Sequence, residues 1–142
     1  MKTERATSVR VRAFEGLPDM VSHARQWAMA ALPPSWPLVD EVALVVSELV
    51  TNAIRYSASG DPDGHVLLEV RCGEEGWVEL SVTDQGSGSG ASARYVPTDV
   101  EEGGRGIALV HDLVDAYDVT YTSGGSRCVW CRFDRPVSDR HQ

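Results

Sequence analysis

Asp84 sits at the end of an alternating run. Val78, Leu80, Val82 and Asp84 alternate with Trp77, Glu79, Ser81 and Thr83, so a strand points the first set to one face. A carboxylate then closes a row of core-facing side chains, where an unpaired charge is expensive. Either the strand ends in solvent just before Asp84, or a neighbour donates hydrogen bonds to it. Gly86 and Gly88 follow directly, and glycine lets a backbone turn sharply or a ligand come close. An Asp-initiated turn accounts for the same residues.

Two further stretches carry chemistry. Glu48 and Asn52 are four apart, so on a helix they share a face. The helical wheel puts them beside the apolar stripe with Glu41 and Arg55 near, at the rim of the core. The Asn carbonyl oxygen is a hard ligand suited to magnesium, and Glu can orient or deprotonate a nucleophile; a solvated polar face is the plainer account. Gly103-Gly104-Arg105-Gly106 stands where a polar loop gives way to helical periodicity. A glycine-rich helix start exposes free N–H groups and the positive dipole end, an anion site, to which Arg105 adds a charged fork. A flexible hinge fits the same residues.

The elements that must hold these groups follow from periodicity. Val9, Val11 and Ala13 alternate with Arg10, Arg12 and Phe14, which predicts a strand. Met20, Val21, Ala24, Trp27, Ala28 and Ala31 recur at helical spacing after Pro18 and Asp19, and Pro33, Pro34 and Pro37 end that helix. Val42, Val45, Val46, Leu49, Val50, Ala53 and Ile54 form a wide stripe on a second helix reaching about Tyr56, with Asp40 as candidate N-cap. Turn chemistry fills 57–64. Val66, Leu68, Val70 and Cys72, a turn at 73–76, and the run to Asp84 read as a hairpin. Residues 85–104 show no sustained apolar period, as in a functional lid. Ile107, Val110, His111 and Val114 resume helical spacing; Val119 and Tyr121, a Gly124-Gly125 turn and 127–133 close the chain as a second hairpin. Hairpins with helices over one face predict an α+β two-layer sandwich.

Length and charge set the bounds. With 142 residues and 42% hydrophobic content, the chain makes one domain, placed at 8–134 between a loose tail at 1–7 and another at 135–142. A net charge of −8 with scattered arginines argues against nucleic acid as a partner. The N-terminus has no apolar signal segment, no run is long enough to span a membrane, and three cysteines do not make a disulfide scaffold. A cytoplasmic protein is expected.

In order, Glu48-Leu-Val-Thr-Asn52-Ala-Ile-Arg-Tyr-Ser57 on a helix, Asp84-x-Gly86-x-Gly88 at a strand end and Gly104-Arg-Gly106-Ile-Ala-Leu-Val110 opening a helix resemble the three nucleotide-binding boxes of the GHKL ATPases. Within that superfamily the short length and the Gly-Arg-Gly-Ile-x-Leu-Val form are similar to the anti-sigma-factor serine kinases and their actinobacterial relatives. The resemblance implies a Bergerat-type two-layer sandwich with a mostly antiparallel mixed sheet, helices on one face and an ATP lid at 89–103. It implies ATP and Mg2+ as cofactors. Asn52 would coordinate magnesium and Glu48 would be the general base. Asp84 would accept from the adenine amino group, and Gly86 and Gly88 would let the backbone pass close to the nucleotide. Gly104, Arg105, Gly106 and the Ile107 amide would meet the phosphates. Tyr56 stands where such relatives often carry histidine. Where they carry threonine at the start of the last strand, this chain reads Ser126-Arg127-Cys128-Val129, with Ser126 a candidate substitute.

The implied partners are ATP or ADP, a sigma factor, a STAS-type anti-anti-sigma protein phosphorylated on serine or threonine, and a second copy in a homodimer. Alternatives are a non-catalytic ATP-binding module that regulates a partner, and a stand-alone histidine-kinase-like catalytic domain. Other motifs weigh little. Cys128-x-x-Cys131 lies in a strand pattern that turns the two thiols to opposite faces. Four histidines lack ligand spacing, and 86–91 fit a dinucleotide fingerprint without the helix it needs. The tryptophans read as packing residues, with Trp77, on the outward face of its strand, a candidate for a partner surface.

Overall fold

A computed structural model of the chain describes residues 5–86 and 104–136, the side chains of 104–107 excepted. In chain order the elements are β1 (Ala6–Glu15), α1 (Met20–Ala30), α2 (Val39–Tyr56), a single 3-10 turn (Ala58–Gly60), β2 (His65–Gly73), β3 (Trp77–Asp84), α3 (Gly104–Leu113), β4 (Ala116–Tyr121) and β5 (Arg127–Asp134). This is the expected succession of strands and helices. β1 begins at Ala6, inside the stretch expected to be a loose tail, and Thr7 Oγ1 donates to the carbonyl of Cys72 at 3.2 Å.

The five strands form one sheet in the order β1-β2-β3-β5-β4, antiparallel at each of its four pairings. Val66, Leu68, Val70 and Cys72 of β2, Val78, Leu80 and Val82 of β3, and Val129, Cys131 and Phe133 of β5 make one buried face. The α2 stripe of Val42, Val45, Val46, Leu49, Val50, Ala53 and Ile54 joins the same core, with Ala24 and Ala28 of α1 and Val110 of α3. The helices therefore cover one face, giving the expected α+β two-layer sandwich. Each fully buried valine or leucine in such a core contributes about 1.5–3 kcal/mol. Burial pushes the Cys131 thiol up to about 12, so it is an inert core group, and Cys128 lies on the opposite face of β5.

Three local details differ from the sequence reading. The first hydrogen bond of α2 runs from Val42 N–H to the Leu38 carbonyl at 3.0 Å, which makes Leu38 the cap residue. Asp40 is not the N-cap; it lies with Glu41 in the first turn, where negative charge suits the helix dipole. In β1, Phe14 is buried opposite Val66, and Arg12 lies over its ring at 4.9 Å. That register turns the Val9, Val11, Ala13 row to the open face, leaving Val9 50% and Val11 53% exposed. Trp77 is on the outward face of β3 as expected, yet it is buried and offers no free surface. Its indole lies flat on Gly73, where a Cβ would collide with the ring, and under the Arg132 guanidinium at 4.9 Å.

Candidate functional site

Asp84 closes the β3 row inside the helix-covered layer and is only 3% exposed. Burying a carboxylate there demands donors, and the structure supplies them from two directions. Oδ1 accepts the Gly86 N–H at 2.7 Å. Oδ2 accepts from Arg127 Nε at 3.1 Å and lies 3.0 Å from Arg127 Nη2. The strand does not end in solvent: antiparallel pairing sets Asp84 opposite Arg127 at the last rung of the β3–β5 ladder.

Gly86 completes this turn with φ at +75°. A Cβ there would fall onto the Gly125 carbonyl oxygen in the β4–β5 turn. Position 86 thus requires glycine for conformation and for close approach. The close approach that the structure shows at Gly86 is to this chain's own backbone. Gly88 and the lid at 89–103 lie outside the described residues.

The C-terminal end of α2 is tied to the same turn. Ser57 leaves the helix in an extended conformation. Its hydroxyl donates to the Ala53 carbonyl at 2.6 Å and accepts the Ser59 N–H at 3.0 Å. Ser59 Oγ accepts the Gln85 N–H at 3.0 Å, and the Ala58 N–H donates to the Gly86 carbonyl at 2.7 Å. Both serines are fully buried. Sequence reasoning assigned 57–64 only turn chemistry and so missed this brace. It also missed Arg127. One signal existed: Arg127 heads the row Arg127, Val129, Cys131, Phe133 as Asp84 ends Val78, Leu80, Val82, and opposite charges at the ends of two core-facing rows invite pairing.

Glu48 and Asn52 lie two turns and one turn before the end of α2, both half-buried among Val45, Leu49 and Ala53. Among the described residues neither side chain makes a hydrogen bond to another. α2 packs against both β3 and α3. α3 begins at Gly104, so the backbone N–H groups of Gly104, Arg105, Gly106 and Ile107 are those a helix start leaves unbonded. The fold therefore ties the Asp84–Gly86 turn by direct hydrogen bonds to the 3-10 turn at Ala58–Gly60, which Ser57 in turn joins to the end of α2, with α3 against α2. The side chain of Arg105 is outside the described residues. Ser126, the candidate for the threonine position, is bound into the β4–β5 turn, its N–H donating to Thr122 Oγ1 at 3.1 Å.

The donor set can be tested against a magnesium nucleotide. Magnesium held by one or two protein oxygens completes its shell with phosphate and water, and the Asn52 amide oxygen provides one. Among the described residues no group of three or more His, Cys, Asp or Glu could hold a metal alone. Asp84 Oδ1 has a lone pair beyond the one given to Gly86, and the start of α3 offers unbonded N–H groups of the kind that suit an anion. The residues fit.

Residues 14–133 match the model of the histidine kinase-like ATPase domain. The chain belongs to that family. Over 97 residues it is 33% identical to the anti-sigma F factor of Priestia megaterium, covering 64% of this chain and 66% of that protein. Over 102 residues it is 28% identical to the serine-protein kinase RsbW of Listeria monocytogenes, covering 65% of this chain and 64% of the relative. The chain thus spans just under two thirds of the length of these curated relatives. Among solved structures, one of the RsbU and RsbW domains of a Mycobacterium tuberculosis protein superposes with a TM-score of 0.66 at 16% identity, over 92% of this chain and 34% of that one. That likeness concerns the fold, which in this ATPase-domain family is the sandwich described above. Among the described residues no helix is long and apolar enough to cross a membrane.

Proposed function

We propose that this histidine kinase-like ATPase domain binds ATP with Mg2+ and works as an anti-sigma-type regulator that phosphorylates a serine or threonine of an anti-anti-sigma partner. The observation that carries this reading is the buried Asp84 carboxylate at the end of β3, hydrogen-bonded through Gly86 to the 3-10 turn that follows the helix bearing Glu48 and Asn52.

Bound Mg-ATP supplies the phosphoryl group and the charge neutralisation that its transfer requires. The chain's residues do the rest. Asp84 accepts from an exocyclic amino group and selects adenine. The Asn52 carbonyl oxygen holds the metal. The backbone N–H groups of Gly104, Gly106 and Ile107, with the Arg105 charge, hold the phosphates, and Gly88 lets the chain pass close to the nucleotide. Glu48 orients the incoming hydroxyl and takes its proton. The family's regulatory setting suggests a sigma factor as a second partner and the cytoplasm as the place of action. The open face of β1 and β2, with Val9, Val11 and the 39% exposed Leu67, is a surface on which a second copy of the chain could pair.

Isothermal titration calorimetry with ATP, with and without magnesium, on the wild type and Asp84→Asn tests the pocket. Magnesium-dependent binding that falls at least about tenfold in the variant is expected for loss of a charged acceptor. No binding by the wild type would sink the nucleotide reading. Glu48→Ala should abolish phosphoryl transfer while leaving ATP affinity within about twofold.

One observation favours a second reading. Asp84 is already engaged by Arg127, which suits a module whose nucleotide acts as a slow switch of partner affinity. Partner binding with wild-type strength but no transfer by intact protein would support that module over the kinase.

A further inference from the structure

We infer that Arg127 is a latch on the base-reading carboxylate, which must swing away before a nucleobase amino group can reach Asp84. This rests on the nucleotide reading above and adds a gate to that site.

The geometry leaves little room for both partners. A carboxylate offers about four lone-pair positions. Asp84 Oδ1 gives one to the Gly86 N–H, while Oδ2 accepts from Arg127 Nε at 3.1 Å and lies 3.0 Å from Nη2 of the same guanidinium. The guanidinium therefore covers Oδ2. An incoming amino group would have one position on Oδ1, beside a guanidinium already against the carboxylate. The pair is also sheltered, with side chains 3% and 14% exposed, so water screens it little. Its placement comes from backbone register: Arg127 is the first residue of β5 and faces Asp84 across the final rung. Strand pairing can persist while only the side chain rotates. Nε and Nη2 of the guanidinium lie against the carboxylate, and the chain's exposed edge at Thr122–Gly125 lies beside it, so solvent is near for a displaced arginine.

Stability alone does not account for the pair, because a buried ion pair is often no more stabilising than apolar residues of the same volume. A base that must displace Arg127 binds only the fraction of molecules with the latch open, and apparent affinity falls by that fraction. Removing the latch should then tighten ATP binding, although it removes a positive charge from a protein of net charge −8. Loss of a cation by itself predicts the opposite for a polyanionic ligand.

The test titrates Mg-ATP and magnesium tripolyphosphate, which has no base, into the wild type, Arg127→Thr and Arg127→Lys by calorimetry, after thermal melts confirm folding. Threonine suits a strand and cannot reach Asp84; lysine keeps the charge but not the fork. The expected result is ATP affinity at least about threefold higher in Arg127→Thr, an intermediate value in Arg127→Lys, and tripolyphosphate affinity unchanged or lower. Should Arg127→Thr not fold, tighter ATP binding by Arg127→Lys carries the same meaning. Equal or weaker ATP binding by the variants, with a wild type that binds, overturns the latch and leaves the nucleotide reading intact. If none of the three proteins binds ATP, the nucleotide reading fails and takes the latch with it.

Discussion

The β3–β5 ladder carries an arginine cluster at each end, and the two differ in almost every energetic respect. At the Trp77–Asp134 end, on the open face, Arg132 lies over Trp77 and pairs with Glu79 at 3.3 Å and Asp134 at 2.9 Å. Arg71 lies 3.6 Å from the same Glu79. Asp134 is 54% exposed, so its pair with Arg132 contributes about 0–1 kcal/mol, while Arg132 and Glu79, 22% and 18% exposed, still reach solvent more than Asp84 does. What holds that end is Trp77 lodged on Gly73. At the Asp84–Arg127 end, under the helices, a single pair sits in the row that elsewhere is wholly apolar. There the same chemistry is consequential, because a carboxylate left alone at 3% exposure loses hydration that nothing replaces. A charged group on the open face can be decoration, whereas one inside the layer has to be partnered, by this chain or by a ligand.

If the two ends are independent, stability and binding should separate. Trp77→Ala is expected to have the largest effect on the fold, about 3–5 kcal/mol by urea denaturation, with ATP affinity in surviving folded protein unchanged. A matching loss of affinity would show that the ends are coupled through the ladder. Gly86→Ala comes next, at about 2–4 kcal/mol, since a side chain must adopt a positive φ and displace the β4–β5 turn. The same melts under saturating ATP should show less ligand-induced stabilisation than wild type. Asp84→Asn should cost about 1–3 kcal/mol, because the shape survives while Arg127 loses its charged partner. The binding defect, not the melting temperature, should be its dominant phenotype. Arg132→Ala should be the mildest, about 1 kcal/mol or less and smaller in 1 M salt on the order used to screen surface pairs. A cost equal to that of Asp84→Asn would erase the distinction between the open and covered ends.

Much of the fold was legible in the chain because its signals are local. The stripe from Val42 to Ile54 and the alternation from Val66 to Asp84 each lie within one element, and the helix and hairpin they imply are present. The candidate residues were legible as types in order: a carboxylate closing an apolar row, Glu48 and Asn52 four apart, glycines opening α3. What remained open was settled where a local rule met a tertiary one. The alternation of Val9 and Val11 with Arg10, Arg12 and Phe14 predicts a strand but not its buried face, and pairing with β2 commits Phe14 to the core and faces the valines outward. Trp77 was read as a packing residue on the outward face, and it is buried there; its second reading as a partner surface fails because Arg132 covers it, which nothing in its neighbourhood along the chain announces.

By itself, then, the sequence determined which elements form, which face of the helices and of the central hairpin is apolar, and that a buried carboxylate would need a partner. Periodicity within a few residues carries that information, since side-chain direction repeats every two positions in a strand and about every 3.6 in a helix. Only the tertiary structure decided who the partners are. Ser59 reaches Gln85 across 26 positions and Arg127 reaches Asp84 across 43. Those meetings depend on strand order and register, which arise when separate hydrophobic faces are buried against one another and which no short window of the chain contains.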